Sequence, residues 1–174
     1  EIKAKHYKGI IFSGGPNSVY ADNTPQCDPE LFNCGIPILG ICYGAQMMAH
    51  ILGGTVASSD VREFGRTEIN YDNGSILFEN VMPKGICWMS HTDYISKAPE
   101  GFEIVAKTDV CPIAAMENPE RKLYAMQFHP EVQHTEKGSI MLQNFLYNVC
   151  GCIGDWKMSS FVTETISRLK QEIG

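Results

Sequence analysis

Two apolar runs, residues 8–12 and 36–41, each break off into glycine, and a segment of helical period follows the second at once. Few architectures accept that order. Strands too apolar to have a wet face, alternating with helices, belong to a parallel sheet covered on both sides. In such sheets the chemistry lies beyond the carboxyl ends of the strands. The first run ends at Ser13-Gly14-Gly15-Pro16, and the second at Gly40-Ile41-Cys42-Tyr43-Gly44. Between them, residues 27–34 read as a short helix entered through Asp28-Pro29, a cap followed by proline in the first turn. Residues 44–52 read as a helix stopped by Gly53-Gly54.

The middle of the chain changes grammar. Residues 55–69, 75–78, 87–89, 102–107, 113–116 and 123–128 are short, partly alternating and separated by Gly, Pro, Asn and Asp, which predicts a more antiparallel region. Helical period returns at 138–150, with Ile140, Met141, Phe145, Leu146 and Val149 on one face. It returns again at 160–173, with Val162, Ile166, Leu169 and Ile173 together. The class is therefore α/β: a mainly parallel sheet flanked by helices, with a smaller antiparallel part.

With 174 residues, 44% of them hydrophobic, the chain can bury one sizeable core. A net charge of −6 argues against nucleic acid or an anionic membrane as partner. No apolar run approaches the ~20 residues of a membrane span. Seven cysteines at irregular spacing read as free thiols of a reducing cytoplasm. Cys150-Gly151-Cys152 reads as helix-end packing, because no second Cys/His pair completes a zinc site. No metal is expected.

Cys42 stands at a strand-to-helix turn, where the helix start offers N–H groups and positive dipole to a thiolate or oxyanion. Alone it reads equally well as a buried structural cysteine. The second string, Gln127-Phe128-His129-Pro130-Glu131, places His129 at another strand end. Glu131, two residues on, can hold one ring nitrogen and leave the other for a thiol. Together they make a nucleophile, base and orienter. The Gly14-Gly15 loop can aim a main-chain N–H at an oxyanion. A phosphate-binding reading is weaker, because neither G-x-x-x-x-G-K-[ST] nor G-x-G-x-x-G is present.

Other residues take plainer readings. His91 reads as structural within a loop, and His6, His50 and His134 as surface or packing residues. Met47 and Met48 read as helix core. Glu117, Glu120, Arg121 and Lys122 read as a turn and solvated face, as do Arg62, Glu63 and Arg66. Gln46 alone reads as an exposed helix glutamine.

Gly-Gly-Pro-Asn-Ser, Gly-Ile-Cys-Tyr-Gly-x-Gln and Gln-Phe-His-Pro-Glu-Val, in that order, resemble the class I glutamine amidotransferases, whose fold is flavodoxin-like. Residues 13–20, 61–65, 88–91 and 128–138 resemble the bacterial GMP synthase branch of that family in its N-terminal glutaminase domain. The resemblance implies that Cys42 attacks the glutamine carboxamide, His129 shuttles the proton and Glu131 orients His129. It implies an oxyanion hole from the N–H groups of Gly15 and Tyr43, and substrate contacts at Gln46, Ser90, Thr92 and Asp93. Thr92 stands where the family commonly has glycine. It further implies a glutaminase domain over 1–152 and a linker helix over 153–174. The linker would lead to an ATP pyrophosphatase (synthetase) domain that uses ATP and Mg2+ to aminate XMP. The resemblance also implies that the glutaminase domain itself needs no cofactor and that the whole enzyme is a cytoplasmic homodimer. The family's first strand and helix have no counterpart before Lys8, which predicts exposed apolar surface and poor autonomous stability. Alternatives are the glutaminase of another amidotransferase, such as anthranilate synthase, a γ-glutamyl hydrolase, or a non-catalytic docking module.

Overall fold

The computed structural model describes residues 2–155 and 158–173, the side chains of 3, 59–62, 160 and 164 excepted. Its centre is one seven-stranded sheet. In chain order the strands are β1 (Ile10–Phe12), β2 (Ile38–Ile41), β3 (Thr55–Tyr71), β4 (Lys84–Lys97), β5 (Glu103–Lys107), β6 (Ala115–Asn118) and β7 (Leu123–Met126). In space they run β1-β2-β7-β6-β5-β3-β4. β1, β2 and β7 are mutually parallel, and every other neighbouring pair is antiparallel. The expected antiparallel region is thus an extension of the same sheet. With four antiparallel pairs against two parallel ones it is the larger part, not the smaller, because the two longest strands, β3 and β4, form a hairpin.

Period-two alternation sorts the side chains of β2 and β7 into two cores. Leu39, Tyr124 and Met126 join Phe128, Met141 and Phe145 on one face. Ile38, Leu123 and Ala125 join Met48 and Ala49 of α1 (Tyr43–Ile51) on the other. Both faces are covered, which is why these strands read as unbroken apolar runs. Truncating a fully buried side chain such as Met126 to alanine costs roughly 2–5 kcal/mol.

Several expected elements are corrected. Residues 75–78 form no strand; Ile76–Phe78 is a single 3-10 turn. The Ser75 hydroxyl accepts the Leu77 N–H at 3.2 Å and donates to Glu117 Oε2 at 2.5 Å, and the turn tucks in Leu77 and Phe78. A short apolar run cannot by itself be assigned to strand or helix. The strand expected at 87–89 extends over Lys84–Lys97, so Ser90, His91, Thr92 and Asp93 lie on a strand and not in a loop. The helix expected at 138–150 is α2 (Gly138–Gln143) running into a π-turn at Asn144–Val149, where the Cys150 N–H reaches back to the Phe145 carbonyl. The wider turn rotates the apolar face: Met141 and Phe145 are fully buried, and Leu146 faces outward. The last helix, α3, covers Met158–Ile173, and Val162, Ile166, Leu169 and Ile173 remain exposed along it.

Two charges read as solvated are buried. Glu117 lies on β6 beneath Ser75, and burial raises its carboxyl above the usual range. Glu63 lies on β3 opposite His91 on β4. The Arg62 side chain falls outside the described residues. The plainer histidine readings hold for His50, edge-on to Tyr20 at 5.0 Å, and for His134, packed on Trp88 at 4.7 Å. All seven cysteines are free thiols.

Candidate active site

The parallel half of the sheet brings three loops to one end. Residues 13–15 follow β1, Cys42 follows β2, and His129 follows β7. Ile41 pairs with Met126 in register, so the nucleophile and the base leave neighbouring strands side by side. The Cys42 N–H donates to the Met126 carbonyl at 2.8 Å, tying the two strand ends together.

Cys42 has φ 52° and ψ −108°, a conformation that side-chain-bearing residues rarely adopt. The flanking glycines do not carry the left-handed angle; the cysteine does. Gly40 and Gly44 are needed for close approach. A Cβ on Gly44 would sit 2.3 Å from the Phe12 carbonyl oxygen, and one on Gly40 2.7 Å from the Gly44 main chain. β1, the elbow and the first turn of α1 are therefore pressed backbone to backbone, and the thiol is pushed out over the strand ends.

His129 is held from several directions. Its Nδ1 pairs with Glu131 Oε1 at 2.7 Å, leaving Nε2 for the sulfur. Its N–H donates to the Trp88 carbonyl at 3.1 Å, and its carbonyl accepts the Thr135 hydroxyl at 2.6 Å. Thr135 Oγ1 in turn accepts the Trp88 N–H at 3.0 Å. Gly138 closes the loop, since a Cβ there would lie 2.1 Å from the Pro130 carbonyl oxygen. The imidazole is pushed up to about 9, chiefly by its hydrogen bond to Cys42, with burial opposing and Glu131 adding to the rise. Both hydrogen bonds favour the charged form of the ring.

A cavity of about 420 Å3 opens at this end of the sheet. Cys42, His129, Gly15 and Gln46 form one side of it, and Ser90, Thr92 and Asp93 of β4 form the other. The exposed ring of Phe64 stands at its rim. Tyr43 lies outside the lining. Its side chain turns away, with the hydroxyl donating to the Pro25 carbonyl at 2.6 Å, while its main chain opens α1 directly after Cys42. Gln46 is not an exposed helix residue: it is 3% exposed, and its Nε2 donates to the Asp93 carbonyl at 2.6 Å and to Gln127 Oε1 at 3.1 Å.

One further group among the described residues has ligand chemistry. Glu63, His91 and Cys111 place one donor atom each within 4.8 Å of one another, all buried. Burial raises the Glu63 carboxyl, lifts the Cys111 thiol to about 12 and lowers the His91 imidazole to about 4. The neutral forms are favoured. The Thr108 hydroxyl donates to Glu63 Oε1 at 3.0 Å, and Glu63 Oε2 lies 3.4 Å from His91 Nε2. This buried polar cluster sits at the seam where Glu63 of β3 faces His91 of β4, and His91 also lines the cavity.

A cysteine at a strained elbow, an imidazole on the next strand end and a carboxylate behind it define a nucleophile-base-orienter enzyme site on an α/β sheet. The chain belongs to the class-I glutamine amidotransferases, whose family model matches residues 1–149. It is 60% identical over all 174 residues to a protein of Clostridium botulinum (strain Alaska E43 / Type E3) named GMP synthase (glutamine-hydrolyzing), and 59% to one of Clostridium perfringens of the same name. The chain spans 34% of the length of these relatives. Among solved structures it is similar to a GMP synthase subunit, described as putative, from Thermoplasma acidophilum. That match has TM-score 0.71 and 30% identity, over 86% of this chain and 76% of the other. A glutamine amidotransferase from Thermotoga maritima shares the fold, with TM-score 0.62 over 79% of this chain and 62% of the other.

Sequence reasoning missed Gln127, Thr135 and Trp88. Gln127 was visible within the histidine string, but nothing in the string says which way its amide points.

Proposed function

We propose that this chain hydrolyses glutamine to glutamate and ammonia through a cysteinyl thioester. The observation that carries the reading is the Cys42–His129–Glu131 constellation at the mouth of a cavity of about 420 Å3. The Cys42 thiolate attacks the carboxamide carbon. The oxygen turns anionic and is received by the N–H groups of Gly15 and Tyr43, the latter at the positive end of α1. His129 gives its proton to the nitrogen, and ammonia leaves. Water then attacks the thioester, His129 takes its proton, and the thiolate departs from glutamate. Every group used is a side chain or main-chain atom of this chain.

The α-amino and carboxylate ends of glutamine would lie against Ser90, Thr92 and Asp93. The Nε2 donors of Gln46 are directed to Asp93 and Gln127, so Gln46 offers the substrate its Oε1. The relatives' names, GMP synthase (glutamine-hydrolyzing), support a larger role in GMP formation, for which we propose that ammonia passes to an ATP pyrophosphatase (synthetase) domain that uses ATP and Mg2+ to convert XMP to GMP. In that reading residues 153–174 lead toward that domain, and the whole enzyme works as a cytoplasmic homodimer. No described helix is long and apolar enough to cross a membrane.

The test uses the full natural polypeptide. Ammonia release from glutamine should vanish in Cys42→Ala, and a glutamine-like chloroketone should label Cys42 alone. Unchanged release in Cys42→Ala would refute the glutaminase reading. Release that ATP and XMP do not stimulate, without GMP formation, would refute the larger role while leaving the first intact.

A further inference from the structure

We propose that Gln127 is a further catalytic residue, a fixed hydrogen-bond donor to the Cys42 sulfur. The proposal rests on the glutaminase reading of the same site. Gln127 follows β7 by one residue and is 1% exposed, its N–H donating to the Ala114 carbonyl at 2.8 Å. Its side-chain Nε2 lies 3.8 Å from Cys42 Sγ, and its Oε1 accepts from Gln46 Nε2 at 3.1 Å.

The direction of this amide follows from its neighbours. The Asp93 carbonyl can only accept, so Gln46 must present its NH2 group to it, at 2.6 Å. The same nitrogen then faces Gln127, which must answer with its oxygen. The nitrogen of Gln127 is left for the sulfur. A main-chain carbonyl on β4 thereby fixes the polarity of two buried carboxamides in series.

The donor discriminates between the forms of the sulfur along the reaction. A thiol or a thioester sulfur is a weak acceptor, whereas a thiolate carries full charge and accepts strongly. A buried amide has no water to turn to, so its bond is felt in whichever state accepts best. Gln127 therefore favours the attacking form of Cys42, and its bond weakens once the sulfur is acylated. The Cys42 S–H dipole is meanwhile directed at the Ser90 carbonyl, 3.8 Å away, so the two contacts keep the sulfur aimed in either protonation state.

Alkylation of Cys42 by iodoacetamide, followed by mass spectrometry across pH in the full natural polypeptide, reads this directly. Gln127→Met keeps the volume and removes the donor. Its alkylation profile should move up by about one pH unit, with kcat/KM for glutamine about tenfold lower at neutral pH. Gln127→Glu places an acceptor beside the sulfur and should move the profile further. A Gln127→Met protein that melts like wild type and keeps its profile and kcat/KM within about twofold overturns the proposal. So does one that loses activity with the profile unmoved, because the residue then acts through packing alone. If the Met variant does not fold, the Glu variant decides: an upward shift supports the role and an unmoved profile refutes it. The profile reports Cys42 whether or not glutamine is hydrolysed, so failure here is distinct from failure of the glutaminase reading.

Discussion

The two halves of the sheet do different work. The parallel half, β1, β2 and β7, supplies the reacting groups from loops at its strand ends, each written as a compact string around a glycine or proline. The antiparallel half supplies walls and anchors: β4 lines the cavity, His91 included, its Trp88 holds the His129 main chain, and Glu63 faces His91 across the seam with β3. Each reacting group here sits in a short string of its own, whereas its support is drawn from residues far from that string. Damage to the first half should therefore appear as lost turnover, and damage to the second as lost stability or misplacement.

The largest effect expected is in the parallel half. Cys42→Ala or His129→Asn should lower kcat by at least about 10^3-fold, as assayed by ammonia release. Retained turnover would erase the division.

The antiparallel half should respond to pH. His91 is lowered to about 4 from 6.5, so its contribution to stability is complete above about pH 6.5 and is lost as pH falls toward 4. The loss amounts to about 3 kcal/mol. Glu63 acts in the opposite sense: raised in the fold, it weakens stability as pH rises above its ordinary range. Denaturant midpoints of His91→Asn across pH 4–7 should be flatter than those of wild type. An equal slope would remove His91 from the account. In the other half His129, raised to about 9, stabilises fully below pH 6.5 and loses this between 6.5 and 9. Its imidazolium goes with it, so kcat/KM should fall above about pH 9, and at lower pH in Glu131→Gln.

Gly44→Ala tests whether the elbow is pressed as tightly as the Phe12 carbonyl implies. Overpacking should destabilise the protein by about 1–3 kcal/mol in urea titrations and lower turnover as well. The smallest effect belongs to Arg66→Ala. Arg66 and Glu136 approach only to 4.0 Å with both side chains mostly exposed, so the change should stay under about 0.5 kcal/mol.

That division also explains what could be read from the chain. The strands and glycine turns around Cys42 and His129 are local patterns, and their spacing alone placed both residues at strand ends. Glu63 and Glu117 were misread because a carboxylate's burial is decided by which strand arrives opposite it, something no local window contains. Ser90 to Asp93 looked like loop because polar residues line a pocket there and hide the alternation of β4. Gln46 looked exposed because helical period marks apolar faces and says nothing of a glutamine that turns inward to meet Asp93.

The angle at Cys42 has one more consequence. A residue with a side chain at φ 52° and ψ −108° holds the chain where only glycine rests easily. Glycine at this position would relax the turn and leave a protein that folds more readily and does nothing. Selection for robustness and selection for turnover thus pull on the same position in opposite directions, and the sulfur persists there because its reaction is needed.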